Sequence, residues 1–423
     1  MIIVQKFGGT SVGTIERIRS VAELMLETQA QGKQVVGVVS AMSGETNRLV
    51  DLATQINPQP WSKEYDLLLA SGEQVSVALL ALAIHAQGGK ARGLLGHQLG
   101  IVTDSVYSKA RIQQIHTHVL QAELAKGVIP IVAGFQGVDT ENNITTLGRG
   151  GSDTSAVAIA AALAEMQGSP VDCEIYTDVD GVYTTDPRLC AKARKLKTIT
   201  YDEMMELASL GAKVLQIRSV ELAAKYKVPL HVRSSFDPVE GTWVIPEGPQ
   251  MEQVVVSGIA ADLNDAKITI MNLEDQPGIA ADLFAPMAEA SIVVDVIVQT
   301  TSSTSSSTSS PSQDSKNSLS LSFTVPKLDM PRALELVESK FRSRFPKMQV
   351  SSETDIAKIS VVGVGMRHHP GVAAKMFKTL AASEINIKLI STSEIRITVL
   401  VDSKDAKTAV ERLHTAFELD RSL

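Results

Sequence analysis

Residues 145–165 read T-T-L-G-R-G-G-S-D-T-S-A-V-A-I-A-A-A-L-A-E, and the rest of the chain is interpreted from this stretch. A strand-like end leads into the glycines at 148, 150 and 151, and an alanine-rich run with helical spacing follows. Glycines allow the backbone to approach a ligand closely. We expect Ser152 or Asp153 to cap the helix, so that its free N–H groups and positive dipole end face the loop. The sequence therefore predicts an anion site here.

Arg149 lies between these glycines and adds a planar, permanently charged group that suits a carboxylate or a phosphate. The alternative is an ordinary Gly-rich turn before a capped helix. A Walker A loop is excluded, because no Lys-Ser or Lys-Thr pair follows the glycines.

A second glycine loop lies at the N-terminus. Ile2–Phe7 is predicted to be a buried strand, Gly8-Gly9-Thr10-Ser11 a tight loop, and residues 14–29 a helix. A strand, a Gly-rich loop and a helix in this order form a phosphate cradle. Lys6 lies near the end of the strand, just before the glycines, where its ammonium would meet the phosphates; the alternative is an edge lysine of the sheet.

Two further helix starts are predicted in the first half. A strand at residues 34–39 leads into the small residues 40–47, a helix start that either binds an anion or is simply capped. Glu73 is expected at the start of a helix over residues 75–87, where the dipole favours a carboxylate even without a ligand.

The remaining first half alternates strands and helices. We predict strands at 91–95, 100–104, 128–133, 172–177 and 229–234, and helices at 111–126, 201–210 and 214–226. This alternation indicates an α/β domain with a mainly parallel sheet. Residues 178–188 form a turn-rich segment without the ligand spacing of an EF-hand, and residues 238–250 resemble a linker.

Composition excludes several classes of protein. The chain has 423 residues, a formal charge of −7 and two cysteines in no metal-binding spacing. We therefore expect two or three domains, no nucleic-acid partner and a reducing compartment. The N-terminal apolar run is too short for a signal peptide, and the other apolar runs are too short or too interrupted to span a membrane, so we expect a cytoplasmic protein.

The second half contains an internal repeat. P-G-I-A-A-D-L-F at residues 277–284 matches P-G-V-A-A-K-M-F at residues 370–377. Each copy has the order strand, helix, strand, strand, helix, which predicts two ferredoxin-like βαββαβ modules. We expect a strand at residues 254–260 to complete one of the two sheets, so that the modules interlock. The serine-rich residues 300–317 are expected to be a disordered insertion.

Taken together, these motifs resemble the aspartate kinases, and the repeats resemble ACT domains. The resemblance covers nearly the whole chain and implies a three-layer α/β/α amino-acid kinase fold with two C-terminal ACT modules. It places the kinase domain at residues 1–240, a linker at 241–253, and ACT domains at 254–345 and 346–423. In some relatives the second half is also made separately from an internal start, and the resemblance makes Met251 the hypothetical start in this chain.

The resemblance implies phosphorylation of the L-aspartate side chain by ATP with Mg²⁺, on the route to lysine, threonine and methionine. It assigns catalysis to Lys6, Asp153 and Glu73 and implies no resident metal. The substrate residues it implies are Ser40, Thr46, Glu73, Arg149, Gly150, Gly151 and Ser152. The nucleotide residues it implies are Lys6, Phe7, Gly8, Gly9, Thr177, Asp178, Tyr183, Arg188 and Lys213.

The family's regulation by lysine, threonine or both implies an effector site in the ACT pair. Its residues would be Asp275, Gly278, Ile279, Ala280, Asp295, Gln299, Asn386 and Ile387. This chain departs from the pattern at Val293, which aligns with Asn386, and in its serine-rich insertion. The alternative for the repeats is a purely structural interface, and a homodimer or higher oligomer built through ACT sheets is expected.

Two other functions stay open at this stage. One is another amino-acid or carbamate kinase of the same fold, and the other is an amino-acid sensor that has lost catalysis. Glu73 with Arg149 and the paired ACT modules argue against the first. Retention of Lys6, Asp153 and the glycine loop at residues 148–151 argues against the second. We expect no dehydrogenase domain.

Overall fold

The computed structural model describes residues 1–211, 214–248, 255–302 and 318–421. The chain divides into two compact units, Met1–Thr184 with Arg194–Val254, and Thr185–Ala193 with Val255–Leu423.

The first unit contains these strands and helices: β1 (Ile2–Phe7), α1 (Ile15–Ala30), β2 (Gln34–Val39), α2 (Glu45–Ile56), α3 (Lys63–Ala86), β3 (Ala91–Leu94), α4 (Gly96–Leu99), β4 (Ile101–Thr103), β5 (Ile112–Ile115), α5 (His118–Ala125), β6 (Ile129–Ala133), β7 (Gln136–Val138), β8 (Ile144–Thr146), α6 (Gly151–Gln167), β9 (Asp172–Thr177), β10 (Thr198–Thr200), α7 (Tyr201–Ser209), α8 (Ile217–Tyr226), β11 (Leu230–Ser234) and β12 (Thr242–Ile245).

An eight-stranded sheet in the order β10-β12-β11-β9-β1-β2-β6-β3 forms the middle layer of this unit. Its neighbours are parallel except β11 and β12. Ile3 and Phe7 of β1 pack with Val21 of α1 and Leu80 of α3 on one face. Successive side chains of a strand point to opposite faces, and Lys6 accordingly meets α6 on the other face. Helices therefore cover both faces, which is the predicted three-layer arrangement.

Several predictions for this unit were wrong in detail. Residues 111–126 are not one helix, because Ile112–Ile115 pairs with β4 as a strand before α5 begins. Thr242–Ile245 lies inside the predicted linker, yet it forms β12 at the sheet, paired with β11 and β10. A smaller sheet in the order β5-β4-β7-β8 was not predicted.

The second unit contains these strands and helices: β13 (Gly258–Asp262), β14 (Asp265–Glu274), α9 (Ile279–Glu289), β15 (Ile297–Ser302), β16 (Ser318–Pro326), α10 (Met330–Phe341), β17 (Gln349–Glu353), β18 (Ile356–Val362), α11 (Val372–Ala382), β19 (Leu389–Thr392), β20 (Arg396–Asp402) and α12 (Ala406–Ala416).

The second unit contains two four-stranded sheets, one for each copy of the repeat. One has the order β15-β16-β14-β17, and the other has the order β13-β18-β20-β19. Strand β13 precedes the first copy in the chain but pairs with β18 of the second. Thr300–Ser302, predicted to be disordered, belongs to β15 and pairs with β16; the rest of the serine-rich segment lies outside the described residues.

Candidate active site

The site lies at the carboxyl ends of neighbouring parallel strands, the usual ligand position in an open α/β sheet. The Ser40 N–H donates to the Phe7 carbonyl at 3.1 Å and joins the ends of β1 and β2. The Gly134 N–H donates to the Val39 carbonyl at 3.0 Å and joins β2 to the end of β6. Residues that follow these strands are therefore held side by side.

Lys6 and Asp153 form an ion pair at this edge. Lys6 Nζ lies 2.6 Å from Asp153 Oδ1, and each side chain is 10% exposed. Asp153 lies in the first turn of α6, a helix buried on all sides for most of its length. The predicted cap was wrong: Gly150, at φ 72°, precedes the helix, and neither Ser152 nor Asp153 caps it. A glycine adopts this left-handed conformation without strain, and Asp153 stays free to hold Lys6.

The N-terminal glycine loop packs tightly against the loop after β2. A Cβ at Gly9 would lie 2.9 Å from the Ala41 carbonyl oxygen, so a side chain there would displace one of the two loops. The Gly8 N–H donates to the Tyr176 carbonyl, and a Cβ at Gly8 would lie 3.5 Å from Lys6 Nζ. The ring of Phe7 stacks on that of Tyr176 with centroids 4.9 Å apart. The backbone thus comes close to the lysine.

Glu73 is a buried carboxylate with one open oxygen. It is 3% exposed, and its Oε1 accepts a hydrogen bond from the Ala41 N–H at 3.0 Å. Within the described residues its Oε2 has no hydrogen-bond partner. Burial raises the pKa of Glu73 to about 7, against the lowering effect of the Ala41 hydrogen bond. An open, desolvated acceptor of this kind is suited to a cation or a donor from a ligand.

The sequence placed Glu73 at a helix start, and this was wrong. It lies in the middle of α3, which runs unbroken through Gly72. That glycine allows close packing, since a Cβ there would lie 2.9 Å from the Ala41 Cβ. Sequence reasoning also missed the Ala41 amide, although the run of small residues after β2 was a usable signal.

The predicted substrate residues around Arg149 are near one another in the chain and in the fold. Arg149 is exposed, and its side chain makes no hydrogen bond or ion pair within the described residues. Gly148 and Gly150 have φ of 76° and 72°. Ser152 is buried against Gly134, where a Cβ would lie 2.8 Å from the Ser152 Cβ.

The other predicted substrate residues, Ser40 and Thr46, are partly exposed, Ser40 just after β2 and Thr46 in the first turn of α2.

Three predicted nucleotide residues, Thr177, Asp178 and Tyr183, lie at the end of β9 or after it. Thr177 Oγ1 donates to Asp178 Oδ1 at 3.1 Å, and the Tyr183 hydroxyl donates to Asp180 at 3.0 Å. Lys195 Nζ lies 3.1 Å from the same Asp180 carboxylate.

The remaining predicted nucleotide residues are Arg188 and Lys213. Arg188 belongs to the second unit, where it is exposed and paired with Asp186 at 2.7 Å. Lys213 lies outside the described residues.

The predicted effector residues lie in the second unit. Gly278, at φ 94°, precedes α9, whose first two residues are Ile279 and Ala280. The side chains of Asp275, Gln299 and Asn386 are exposed, and Ile387 packs partly against the core of the second copy.

Within the described part of the chain, Asp295 is the one predicted effector residue that pairs with a cation of the protein. The buried Lys358 lies 2.5 Å from Asp295 and 2.6 Å from Asp265. Burial lowers the pKa of Lys358, but the hydrogen bonds to Asp265 and Asp295 outweigh it and leave that pKa raised.

The described ranges contain no candidate metal cluster and one long apolar helix. No group of three His, Cys, Asp or Glu in the described ranges could hold a metal ion. Helix α3 is long and apolar enough to cross a membrane, but half of its most apolar window is buried. It packs on α1, β3 and β6, as the core helix of a folded domain does.

Comparison with known proteins gives consistent results. The model of the amino acid kinase family matches residues 1–234, and an ACT domain model matches residues 359–417. An aspartate kinase of Stutzerimonas stutzeri strain A1501 is 50% identical over 420 residues, 99% of this chain and 98% of the relative. An aspartokinase of Helicobacter pylori strain J99 is 48% identical over 426 residues, the full length of both chains.

A solved structure extends the likeness to the fold. The structure of Escherichia coli aspartokinase III in complex with aspartate and ADP matches with a TM-score of 0.76 and 25% identity. The match covers 98% of this chain and 99% of that one. The same protein has also been solved with lysine and aspartate.

Proposed function

This chain belongs to the amino acid kinase family and is an aspartate kinase, and from that premise we propose that it transfers the γ-phosphoryl group of ATP to the side-chain carboxylate of L-aspartate, giving 4-phospho-L-aspartate. The observation that carries the proposal is the open Oε2 of buried Glu73, at the same sheet edge as the Lys6–Asp153 pair. The Glu73 oxygen suits an ammonium, and the Lys6 ammonium suits phosphates.

The chemistry requires little from a general base. The side-chain carboxylate of aspartate is already ionised at neutral pH. One of its oxygens attacks the γ-phosphorus, the bond from that phosphorus to the bridging oxygen breaks, and ADP leaves. Catalysis then rests on positioning and charge neutralisation. Lys6 would neutralise the transferring phosphoryl group, held in place by Asp153, while the loop backbone at Gly8 and Gly9 lies against that group. Mg²⁺ would arrive with ATP as part of the co-substrate.

Recognition of an α-amino acid requires an anion for its ammonium and a cation for its carboxylate. Glu73 would receive the ammonium at its open oxygen. Arg149, exposed and without a hydrogen-bond or ion-pair partner among the described residues, would receive a carboxylate. We assign the lining of the aspartate pocket to Ser40, Thr46, Gly150, Gly151 and Ser152.

The nucleotide would lie beyond β9. We assign its contacts to Phe7, Thr177, Asp178 and Tyr183, with Arg188 and Lys213 as further contacts. The acyl phosphate would enter the synthesis of lysine, threonine and methionine in the cytoplasm.

We further propose feedback control through the second unit, which contains the two modules of the repeat. Lysine, threonine or both would bind around Asp275, Gly278 and Asn386, and dimers would form through the ACT sheets. An effector ammonium directed at Asp295 would compete with Lys358, which already holds that carboxylate.

The experiment that tests the proposal is ATP-dependent acyl-phosphate formation, trapped with hydroxylamine, from aspartate, glutamate and carbamate. We expect product from aspartate alone. Product from carbamate instead, or from none of the three, would overturn the proposal. Repeating the assay with lysine, threonine and both together identifies the effector, and unchanged rates would leave the repeats as assembly modules.

A further inference from the structure

Asp66 is a second buried carboxylate of α3, and the function described above gives it no task. It is 0% exposed, yet within the described residues it has no cationic partner and accepts its hydrogen bonds from two loops instead. From the first loop it accepts the Ser108 N–H at 2.9 Å and the Ser108 hydroxyl at 3.1 Å. From the second it accepts the Thr146 N–H at 2.6 Å and the Thr146 hydroxyl at 2.9 Å. One carboxylate therefore joins two segments far apart in the chain.

Arg218, near the start of α8, holds the same two segments from another side. Its Nη1 donates to the Leu147 carbonyl and its Nη2 to the Ala110 carbonyl, each at 2.8 Å. A planar guanidinium can span two carbonyls in this way, and an ammonium on a single stem cannot. Asp66 therefore accepts hydrogen bonds from the N–H groups of the two segments, and Arg218 donates hydrogen bonds to their carbonyls.

The segments are also in direct contact. The Ala110 N–H donates to the Thr146 carbonyl at 2.9 Å. A Cβ at Gly148 would lie 2.8 Å from the Ser108 carbonyl oxygen, so no other side chain fits there. Residues 146–148 lead directly to Arg149, so whatever fixes them also fixes the start of the glycine loop.

We propose that Asp66 and Arg218 are positioning residues for the amino-acid substrate, and that they clamp residues 146–148 and thereby set the position of Arg149. The inference rests on the proposed function for the identity of the substrate. Asp66 and Glu73 are seven residues apart on one helix, about two turns, and so lie on the same face. A single rigid helix then fixes the distance between the ammonium site at Glu73 and the loop that carries Arg149.

The test compares Asp66→Asn with a matched control, Glu203→Gln. An amide at position 66 turns one acceptor into a donor that faces the N–H groups of Ser108 and Thr146. Glu203 is also buried and accepts from the N–H and the hydroxyl of one threonine, Thr200, in the cap of α7. We expect KM for aspartate to rise about tenfold in Asp66→Asn, with KM for ATP within about twofold. Arg218→Lys should shift the same constant in the same direction, and Glu203→Gln should shift neither.

A second readout does not depend on the substrate. Trypsin cleaves after exposed arginines, and we expect Asp66→Asn and Arg218→Lys to be cut after Arg149 faster than the parent, while Glu203→Gln is not. Unchanged cleavage together with unchanged KM for aspartate, in a folded Asp66→Asn protein, overturns the inference. Absence of aspartate phosphorylation in the parent protein overturns the proposed function instead, and the cleavage rates then still decide whether the clamp exists.

Discussion

The two carboxylates of α3 share a helix, a face and a buried position, but they differ in their partners. Asp66 is 0% exposed and accepts hydrogen bonds from two loops, whereas Glu73 is 3% exposed and has one oxygen without a hydrogen-bond partner in the parts of the chain that the structure describes. Burial raises the pKa of both. Burial alone therefore does not distinguish the ligand-binding role proposed for Glu73 from the support of the fold proposed for Asp66, whereas the number of satisfied oxygen atoms separates the two residues.

The same contrast separates two buried lysines. Lys6 has a single carboxylate partner within the described residues, Asp153, and keeps donors for a ligand. Lys358 is held between two carboxylates of its own chain. If groups with unsatisfied atoms bind ligands and fully paired groups support the fold, substitutions at Lys6 and Glu73 should mainly change activity, and substitution of Lys358 should mainly change stability.

The largest effect is expected at Lys6. In Lys6→Ala the transferring phosphoryl group loses its cation, so we expect kcat to fall by about 10³-fold or more. Nucleotide should still bind within a few-fold of its normal affinity, because the loop backbone remains. Calorimetry with ADP measures the nucleotide affinity, and the hydroxylamine assay measures kcat. Normal turnover in Lys6→Ala would show that Lys6 has no part in the mechanism.

A smaller loss is expected for Glu73→Gln. The amide keeps the size of the side chain but not its charge, and a charge-assisted hydrogen bond to an ammonium contributes about 2–3 kcal/mol. We therefore expect kcat/KM for aspartate to fall by about 10²-fold near pH 8, with KM for ATP little changed. An unchanged kcat/KM for aspartate would show that the ammonium binds elsewhere.

The raised pKa of Glu73 predicts a pH dependence in the free enzyme. Below pH about 7 the carboxyl is protonated and cannot pair with an ammonium. We expect kcat/KM for aspartate to fall as pH decreases through 7, approaching tenfold per unit, and the Gln variant to lack this limb. A Glu73 with an ordinary pKa would keep the profile flat down to about pH 5.

Stability should depend on pH in the opposite direction. The folded pKa of Glu73 lies above its ordinary value of 4.5, so the native state binds the proton more tightly than the unfolded chain between pH 4.5 and about 7. The contribution of Glu73 to the free energy of unfolding therefore falls as pH rises through that window. The difference in urea midpoint between the parent and Glu73→Gln, followed across the window, measures it.

The smallest effects are expected at Lys358, which is held by two carboxylates, and they concern stability rather than activity. Lys358→Met would leave Asp265 and Asp295 without their cation, and we expect a loss of about 2–4 kcal/mol of unfolding free energy. Lys388 is the matched control, because it also bridges two carboxylates, Glu353 and Asp402, at 2.7 Å each, but it is more exposed. Lys388→Met should cost about 1 kcal/mol or less in the same urea titration. Equal losses would mean that burial does not matter here.

Sequence patterns predicted the elements that carry strong local signals. The strand Ile2–Phe7, the alanine-rich helix after residue 150 and the repeat were all predicted, because apolar periodicity and glycine loops are encoded locally. Strand β5 was misassigned as helix, because its pairing with β4 is a tertiary effect that single-residue propensity does not contain.

Glu73 shows the same limit within the site. Gly72 suggested a helix boundary, but the glycine serves close packing against Ala41 inside a continuous helix. The residue was predicted from a resemblance, while its burial and its open oxygen depend on neighbours distant in the sequence. Asp66 was not predicted at all, since nothing near it in the chain indicates that it joins residues 108 and 146.

The pairing of β13 with β18 has a consequence for how recombination can change the gene that encodes such a chain. These strands are antiparallel neighbours with Asp262 opposite Lys358, and the whole first copy of the repeat lies between them. The second module is therefore a hairpin opened at its turn, with another module inserted into it. Recombination that removed residues 264–355 would rejoin the hairpin through a turn of three residues, a common length for such loops. The inner module can thus be lost or exchanged as one genetic unit, whereas a cut just before Ile356 would separate the outer module from its edge strand.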